Sequence, residues 1–511
     1  MLFIALLMFS LPQSELSQRQ FCRKVDHLLG SPAMADSFWG VMVYAPMRQK
    51  VIYKRLENKN FRPASNMKIL TTLMGFEFLG ANYQFQTALY YRGNWDRQSG
   101  ILDGDLILEG RGDPSLSGNY GGGDALTEAL IRSWLADLKE QGLREIRGNL
   151  IALTNYFDQT TIQKSWEWDD MGTSYGTPVT PLSLHDGRIQ IELWANETGQ
   201  PHYSSYPPWI SDLDIQFQTL PEAAAMDLEI RRTWGTNQLI VTGDFPPCAH
   251  RELTISAWDP TQHFLETFRA LMDAEGIALD GGLRTIQDAP DAPITLIDTL
   301  ESPAFATLAQ TLMKASQNHY ADLVMKTVAR EAGGEGSFEK GSEIASQFIR
   351  HVYTSLGQPD PTLLGANFRD GSGLSAQNYL RPAYLVQLLR YGLEQPYASE
   401  WLATFPVMGK AGTLSRRGIE NSPSLGRVRA KTGYIYRTRT LSGYVETLAG
   451  EPLIFSLMAN NYSALTAEVN RIQDHICDLM VRLKPNRTAR RQMRATAFPE
   501  FFPENLSQGS E

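Results

Sequence analysis

The chain has 511 residues, 42% hydrophobic and 20% charged, an ordinary globular balance that excludes a largely disordered or collagen-like protein. At roughly 150 residues per domain, two to four domains are expected. Forty-seven basic against 56 acidic residues give a net charge of -9, so no bulk attraction to nucleic acid is expected, since that mode needs clustered Lys and Arg. Three cysteines, Cys22, Cys248 and Cys477, are too few for a disulfide scaffold and too dispersed for a zinc knuckle or a CxxC pair.

Residues Leu2 to Leu11 are apolar except Ser10. The run is too short to span a bilayer as a helix, which takes about 20 apolar residues, but it suits the core of a secretory leader. Residues 1–21 are therefore expected to be a signal peptide and the protein to be exported, periplasmic or otherwise extracytoplasmic. From Phe38 to Tyr53 two apolar stretches flank Pro46-Met47-Arg48-Gln49, which reads as a hairpin. After Arg62-Pro63-Ala64 the pattern becomes helical over Ser65 to Leu79, with Met67, Leu70, Met74 and Phe78 along one side. Residues 83–110 read as strands, with Asp103-Gly104 as a tight turn between two apolar runs. An amphipathic helix over about 125–141 stops at Gly142, and another near 260–275 stops at Gly276. Strand patterns fill 143–258. From about 290 the chain is mainly helical, then gives strands at 427–436, 440–447 and 452–459 and a helix at about 463–482. The tail after Leu483 carries five Lys and Arg residues between 484 and 494 without an acid and reads as a flexible basic terminus; a peripheral contact with an anionic envelope surface is the weaker reading. A β-rich middle bracketed by α/β segments suggests one domain interrupted by insertions.

Ser65-Asn66-Met67-Lys68 places a hydroxyl and an amine three residues apart, on one face if a helix begins near Pro63. A serine hydroxyl needs a base to become a nucleophile, and lysine serves as one when apolar surroundings or a second cation lower its proton affinity. Ser-x-x-Lys alone is weak: Ser337-Phe338-Glu339-Lys340 matches too, in a Gly-rich loop leading into a surface helix. Ser316-Gln317-Asn318 offers a second hydroxyl and a carboxamide, although Ser316 would also suit as a helix cap, and Ser117-Gly118-Asn119 has the same form. Lys431-Thr432-Gly433 occurs once, on a strand-like run where Gly433 permits close backbone approach.

In this order the three signatures are the Ser-x-x-Lys, Ser-x-Asn and Lys-Thr-Gly set of penicillin-binding proteins and serine β-lactamases. Ser65 and Ser316 lie 251 residues apart, Ser316 and Lys431 only 115. That long insertion resembles the low-molecular-mass class C penicillin-binding proteins, D-alanyl-D-alanine carboxypeptidase/endopeptidases similar to penicillin-binding protein 4. The likeness extends through Gly110-Arg111-Gly112-Asp113-Pro114-Ser115-Leu116, Trp166-Glu167-Trp168-Asp169-Asp170, Asp370-Gly371-Ser372-Gly373-Leu374-Ser375 and Leu441-Ser442-Gly443-Tyr444-Val445.

The resemblance implies an α/β (α+β) transpeptidase/β-lactamase-like catalytic domain, an antiparallel sheet flanked by helices, with two inserted β-rich domains. The catalytic domain would comprise 22–82 and 288–484, an inserted domain 83–177 and 258–287, and a nested third domain 178–257, before the 485–511 tail. It further implies peptidoglycan stem peptides and cross-links as substrates and β-lactams as covalent inhibitors, without metal or cofactor. Ser65 would be the nucleophile and Lys68 its base. Ser316 with Lys431 would relay the proton to the leaving amine, and Asn318 would hold the substrate backbone. Lys431 and Thr432 would bind the terminal carboxylate, Gly433 would allow the close approach, and the N–H groups of Ser65 and Tyr434 would form the oxyanion hole.

Three positions depart from the family pattern. Leu153 stands where an acidic residue tends to meet a diaminopimelate amine, Ala376 where an arginine is frequent, and Tyr436 where a smaller or amide-bearing residue is common. Two other readings stay open at this level: a serine β-lactamase or esterase on the same fold, and a non-catalytic protein that binds peptidoglycan through its inserted domains. Gly172-Thr173-Ser174-Tyr175-Gly176 matches the G-x-S-x-G nucleophile elbow but lacks the strand and helix that elbow requires. None of the eight histidines belongs to an H-E-x-x-H pair, and His319 beside Asn318 reads as structural.

Overall fold

The computed structural model describes residues 15–118, 124–221 and 225–495. The body of the expected leader, Asn119 of the second Ser-x-Asn match and residues 496–511 lie outside these. The chain divides into two compact units, one of 1–69, 349–366 and 379–511, the other of 70–348 and 367–378.

The first unit is built on a five-stranded antiparallel sheet, in the order Val428–Ile435, Thr438–Glu446, Pro452–Asn460, Phe38–Ala45, Lys50–Arg55. Alternation along Phe38–Ala45 explains its place beside the centre. Trp39, Val41 and Val43 enter one fully buried cluster with Leu453, Phe455 and Leu457, onto which Phe21 and Val25 of the helix Gln18–Leu29 and Val469, Ile472 and Ile476 of the helix Thr466–Val481 pack. Met42, Tyr44, Ile454 and Met458 point the other way and are also buried, on the side where the helix Pro382–Leu393 meets the sheet. A sheet covered on both faces reads as near-continuous apolar runs, and all nine residues of Pro452–Asn460 are buried.

Two terminal segments are more ordered than their sequences suggest. The fold reaches back to Leu16, whose N–H donates to Arg482 O at 2.7 Å, and Ser17 caps the first helix through a reciprocal bond pattern with Gln20; residues 16–21 thus belong to the folded unit. The tail begins as the helix Arg487–Ala495 rather than as a loose terminus. Asn486 caps it by accepting from the N–H of Ala489 at 2.8 Å, and Ala489 is fully buried.

In the second unit, a seven-stranded sheet carries Gln86–Asp96 paired with Ile101–Gly110 at its middle. The helices Asp124–Glu140 and Pro260–Glu275 cover it through Trp134, Leu135, Phe264 and Phe268. Asp103-Gly104 does not form the turn expected there. The strand runs straight through it, Gly104 opposite Gly93, and the turn falls at residues 97–100, where Asp96 Oδ1 accepts from Gln98 N–H at 2.9 Å. The reason is close backbone approach: a Cβ on Gly104 would lie 1.8 Å from Arg92 O. Asp105 then faces Arg92 and Asn149. Two further three-stranded sheets, built from strands within 188–256, enclose a separate apolar core around Ile189, Ile191, Val241 and Phe245. Three helices follow, Phe305–Lys314, Asn318–Gly333 and Phe338–Ser355, the last crossing into the first unit. Cys22, Cys248 and Cys477 are free thiols.

Arg48 and Glu451 form a bidentate pair in the first unit, side chains 4% and 0% exposed. Replacing Arg48 by Met strands a buried carboxylate and should lower unfolding stability by about 3–5 kcal/mol, while R48M with E451M should recover most of that loss in urea titrations.

Candidate active site

Pro63 introduces a 3-10 turn, Ala64–Asn66, that runs into the helix Met67–Met74. Ala64 sits in the left-handed region at φ 46, a conformation costing about 1–3 kcal/mol unless its surroundings hold it. Here they do: Pro63 O accepts from Asn66 N–H at 3.1 Å and from Thr440 Oγ1 at 2.8 Å. Ser65 is left half-buried, while Lys68, one helical turn on, is fully buried with Nζ 3.0 Å from Ser65 Oγ.

The strand Val428–Ile435 brings the second amine alongside. Asn66 Nδ2 donates to Lys431 O at 2.8 Å, tying the strand to the serine turn. Lys431 is fully buried, and its amine is held well below the usual lysine range by burial first, then by the charges of Lys68 and Arg439. Its Nζ donates to Thr432 O at 2.9 Å, and Thr432 Oγ1 donates to Thr413 Oγ1 at 2.8 Å. Gly433 pairs with Thr440, and a Cβ there would lie 2.2 Å from Thr440 Oγ1 and 3.0 Å from Ser65 N; the strand can lie against the serine turn because this residue has no side chain. Tyr434 is 53% exposed, with the Arg439 guanidinium 5.6 Å from its ring.

Ser316 and Asn318 belong to the second unit. Ser316, at φ 63, forms the turn between two helices, and Asn318 opens the second of them. Ser316 is therefore not a helix cap in the usual extended conformation. Asn318 Nδ2 donates to Tyr175 O at 3.0 Å. One turn further, Asp322 Oδ1 accepts from the N–H groups of Gly371 and Ser372 at 2.8 and 2.9 Å, and Asp370 accepts from Gly373 N–H, Ser375 N–H and Trp166 Nε1. The Asp-Gly-Ser-Gly segment and Trp166 thus form one buried scaffold behind the helix that starts at Asn318. Asp113 is likewise buried, with Ser115 N–H and Oγ donating to it, and burial pushes its carboxyl up to about 6.

Ser65, Lys68, Lys431, Thr432, Gly433 and Tyr434 are thus gathered in one unit, and Ser316 and Asn318 lie on one turn of the other. Asn66, Thr413 and Thr440 were not anticipated. Asn66 lies inside the first motif, but the partners of Thr413 and Thr440 are distant in sequence and leave no local signal. Ser174 is not an elbow: it follows a 3-10 turn, Trp168–Gly172, and a further turn instead of a strand. Ser337 caps the helix beginning at Phe338 by accepting from Lys340 N–H at 3.1 Å, as its context suggested. Leu153 is buried with Ile107 and Ile151, Ala376 is half-buried and Tyr436 is 70% exposed. His250 lies beside carboxylates: a ring nitrogen and an oxygen of each of Glu192 and Glu252 are all within 4.8 Å of one another, on three exposed residues; cross-strand register brings the two glutamates opposite each other.

A serine turn and its lysine packed against the edge strand of an antiparallel sheet, that strand carrying Lys-Thr-Gly, is the arrangement of the penicillin-binding proteins and serine β-lactamases. The chain matches the D-Ala-D-Ala carboxypeptidase 3 (S13) family over residues 21–483 and belongs to it; it is a serine-type D,D-peptidase that acts on peptidoglycan. It is 28% identical over 456 residues to the D-alanyl-D-alanine carboxypeptidase of Actinomadura sp. strain R39, covering 86% of this chain and 80% of that one. It is 27% identical to the D-alanyl-D-alanine carboxypeptidase DacB of Haemophilus influenzae, covering 78% and 80%. Among solved structures, penicillin binding protein 4 (dacB) of Haemophilus influenzae shares the fold at a TM-score of 0.76 and 23% identity, covering 90% of this chain and 99% of that one.

Two outcomes are expected here. Gly433→Ala should lower acylation by a fluorescent penicillin on the order of 10²–10³-fold, the scale of a lost oxyanion donor, with circular dichroism unchanged. His319, buried with Nε2 3.0 Å from Ser183 Oγ, has its pKa lowered to about 3, mainly by burial. The unfolded chain takes up that proton near pH 6.5 and the folded one does not, so this histidine's contribution to stability is complete above about 6.5 and falls with pH by at most about 1.4 kcal/mol per unit. The stability lost between pH 7 and 5 should accordingly be smaller in His319→Gln than in the parent.

Proposed function

We propose that this protein removes the terminal D-alanine of peptidoglycan stem peptides through an acyl-enzyme on Ser65, with Lys68 as the base. The contact that carries the assignment is Lys68 Nζ at 3.0 Å from Ser65 Oγ, within the reach required of a general base. Ser65 Oγ attacks the carbonyl of the penultimate D-alanine and passes its proton to Lys68. The N–H groups of Ser65 and Tyr434 receive the oxyanion. The amide C–N bond breaks, the leaving amine takes a proton relayed by Ser316 and Lys431, and water then hydrolyses the ester. Asn318 aligns the substrate backbone.

Lys431 has two parts in this sequence. Without substrate, burial and the neighbouring cations favour its neutral amine. The arriving D-alanine carboxylate supplies the opposite charge that favours the ammonium, so Lys431 and Thr432 grip the carboxylate and leave a proton available for the relay. Cleavage of D-alanine-containing cross-bridges is the second activity of the same site. Leu153 and Ala376 offer no charge for a diaminopimelate side chain, which favours broad or uncharged side-chain selectivity. β-Lactams would form slow esters at Ser65. Action on peptidoglycan sets the protein outside the cytoplasm; a periplasmic location, a cleaved leader and the tripartite division into a split catalytic domain with nested insertions complete the proposal.

Ser65→Ala should abolish penicillin labelling and D-alanine release, a loss on the order of 10⁶ in kcat as for other serine hydrolases deprived of their nucleophile, whereas Ser174→Ala should change neither. Mass spectrometry of sacculus products separates terminal D-alanine release from strand separation. Rapid turnover of penicillin in place of stable labelling would transfer the protein to the β-lactamase reading.

A further inference from the structure

The second unit contains a cavity of about 660 Å³ that no residue of the Ser-x-x-Lys, Ser316-Gln317-Asn318 or Lys-Thr-Gly motifs lines. Its rim is aromatic. Trp168 and Trp234 stack face to face, centroids 4.2 Å apart and 13° between planes, and Trp234 meets Trp258 edge-on at 4.9 Å. Trp168 is 66% exposed and Trp234 46% exposed. Two adjoining indoles left in water are an unusual surface for a protein that could have buried them, and contiguous exposed apolar patches mark binding sites.

Arg232, which also lines the cavity, donates to Thr236 O and Ser256 O, both at 2.6 Å, and to Asn237 Oδ1, with its guanidinium 5.8 Å from the Trp258 ring. Polar groups with capacity for a ligand surround the aromatic rim: Arg251 is half-buried, and Asp169 is exposed. The cavity wall also runs along residues 171–174, and the next residue, Tyr175, accepts at its carbonyl from the Asn318 carboxamide. Tyr175 follows Trp168 by seven positions, so Trp168 lies within at most about 25 Å of it.

We propose that this cavity binds the glycan of the substrate, a strand of N-acetylated amino sugars, with the exposed Trp168 indole, stacked on Trp234, as its platform. A pyranose ring offers a face of C–H groups to an indole and a rim of hydroxyl and acetamido groups to polar side chains, which is the chemistry this cavity presents. Its volume falls in the range of small-ligand sites, roughly 300–1,000 Å³. Arg251 adds a cation for the carboxylates that stem peptides carry, and Asp169 accepts from hydroxyl and amide N–H groups. The inference rests on the D,D-peptidase reading, in which the reacting peptide hangs from a polymer, so contacts remote from the scissile bond raise activity on polymer alone.

The test uses the full chain and three substrates. Peptide-stripped glycan strands of alternating N-acetylglucosamine and N-acetylmuramic acid should bind the parent and quench its tryptophan fluorescence. Trp168→Ala with Trp234→Ala should weaken that binding and kcat/KM on intact sacculi on the order of tenfold, the equivalent of one good aromatic contact. Release of D-alanine from a soluble acylated tripeptide and penicillin labelling should be unchanged. Trp168→Phe, which keeps a ring, should fall between parent and alanine variant. Absence of glycan binding by the parent, an alanine variant that binds as well as the parent, or equal losses on sacculi and soluble tripeptide would each overturn the proposal. Failure of the peptidase reading looks different: the parent would then neither label with penicillin nor release D-alanine, whatever its affinity for glycan.

Discussion

The first unit buries two lysine side chains within one small region, and an interior cannot readily hold two neighbouring ammonium groups. At Lys431 the conflict is resolved by favouring the neutral amine. The surrounding architecture keeps the two amines in place. The Lys431 carbonyl is fixed by Asn66, the serine turn is fixed through Pro63 O by Thr440, and Gly433 leaves room for both to come together. An apolar sheet covered on both faces supplies the dry surroundings that make proton affinity adjustable.

Backbone strain accompanies both serines. Ala64, immediately before Ser65, and Ser316 itself occupy left-handed conformations that non-glycine residues seldom adopt. In each case the strain lies at a turn into a helix that is anchored elsewhere: through Thr440 for the first, through Asp322 and the Asp370 loop for the second. Such positions aim a hydroxyl where an unstrained helix start would not, and buried hydrogen bonds counter the local penalty.

Much of this chain was readable from its residues. The helix from Ser65, the helix ending at Gly276 and the three closing strands fall where periodicity and glycine stops predict, because each has a long apolar stripe or a run of β-branched and aromatic residues. Asp103-Gly104 misled because the same dipeptide serves a hairpin turn and a tight strand crossing, and only the facing Gly93 distinguishes them. The basic tail misled because its charges mask the Asn486 cap and the single buried alanine that anchor a helix.

The sequence alone determined the reactive groups: a hydroxyl and an amine three residues apart are joined by a single helical turn, a separation set by covalent geometry. It also determined the family, since three short motifs in fixed order are far more specific than any one. Tertiary structure decided which electrostatic environment those groups inhabit. That Lys431 is fully buried beside Lys68, that Thr440 steadies the turn before Ser65, and that two distant tryptophans stack at a cavity rim all depend on segments tens to hundreds of residues apart. Proton affinity and stacking are properties of neighbours in space, and no local pattern in a chain encodes them.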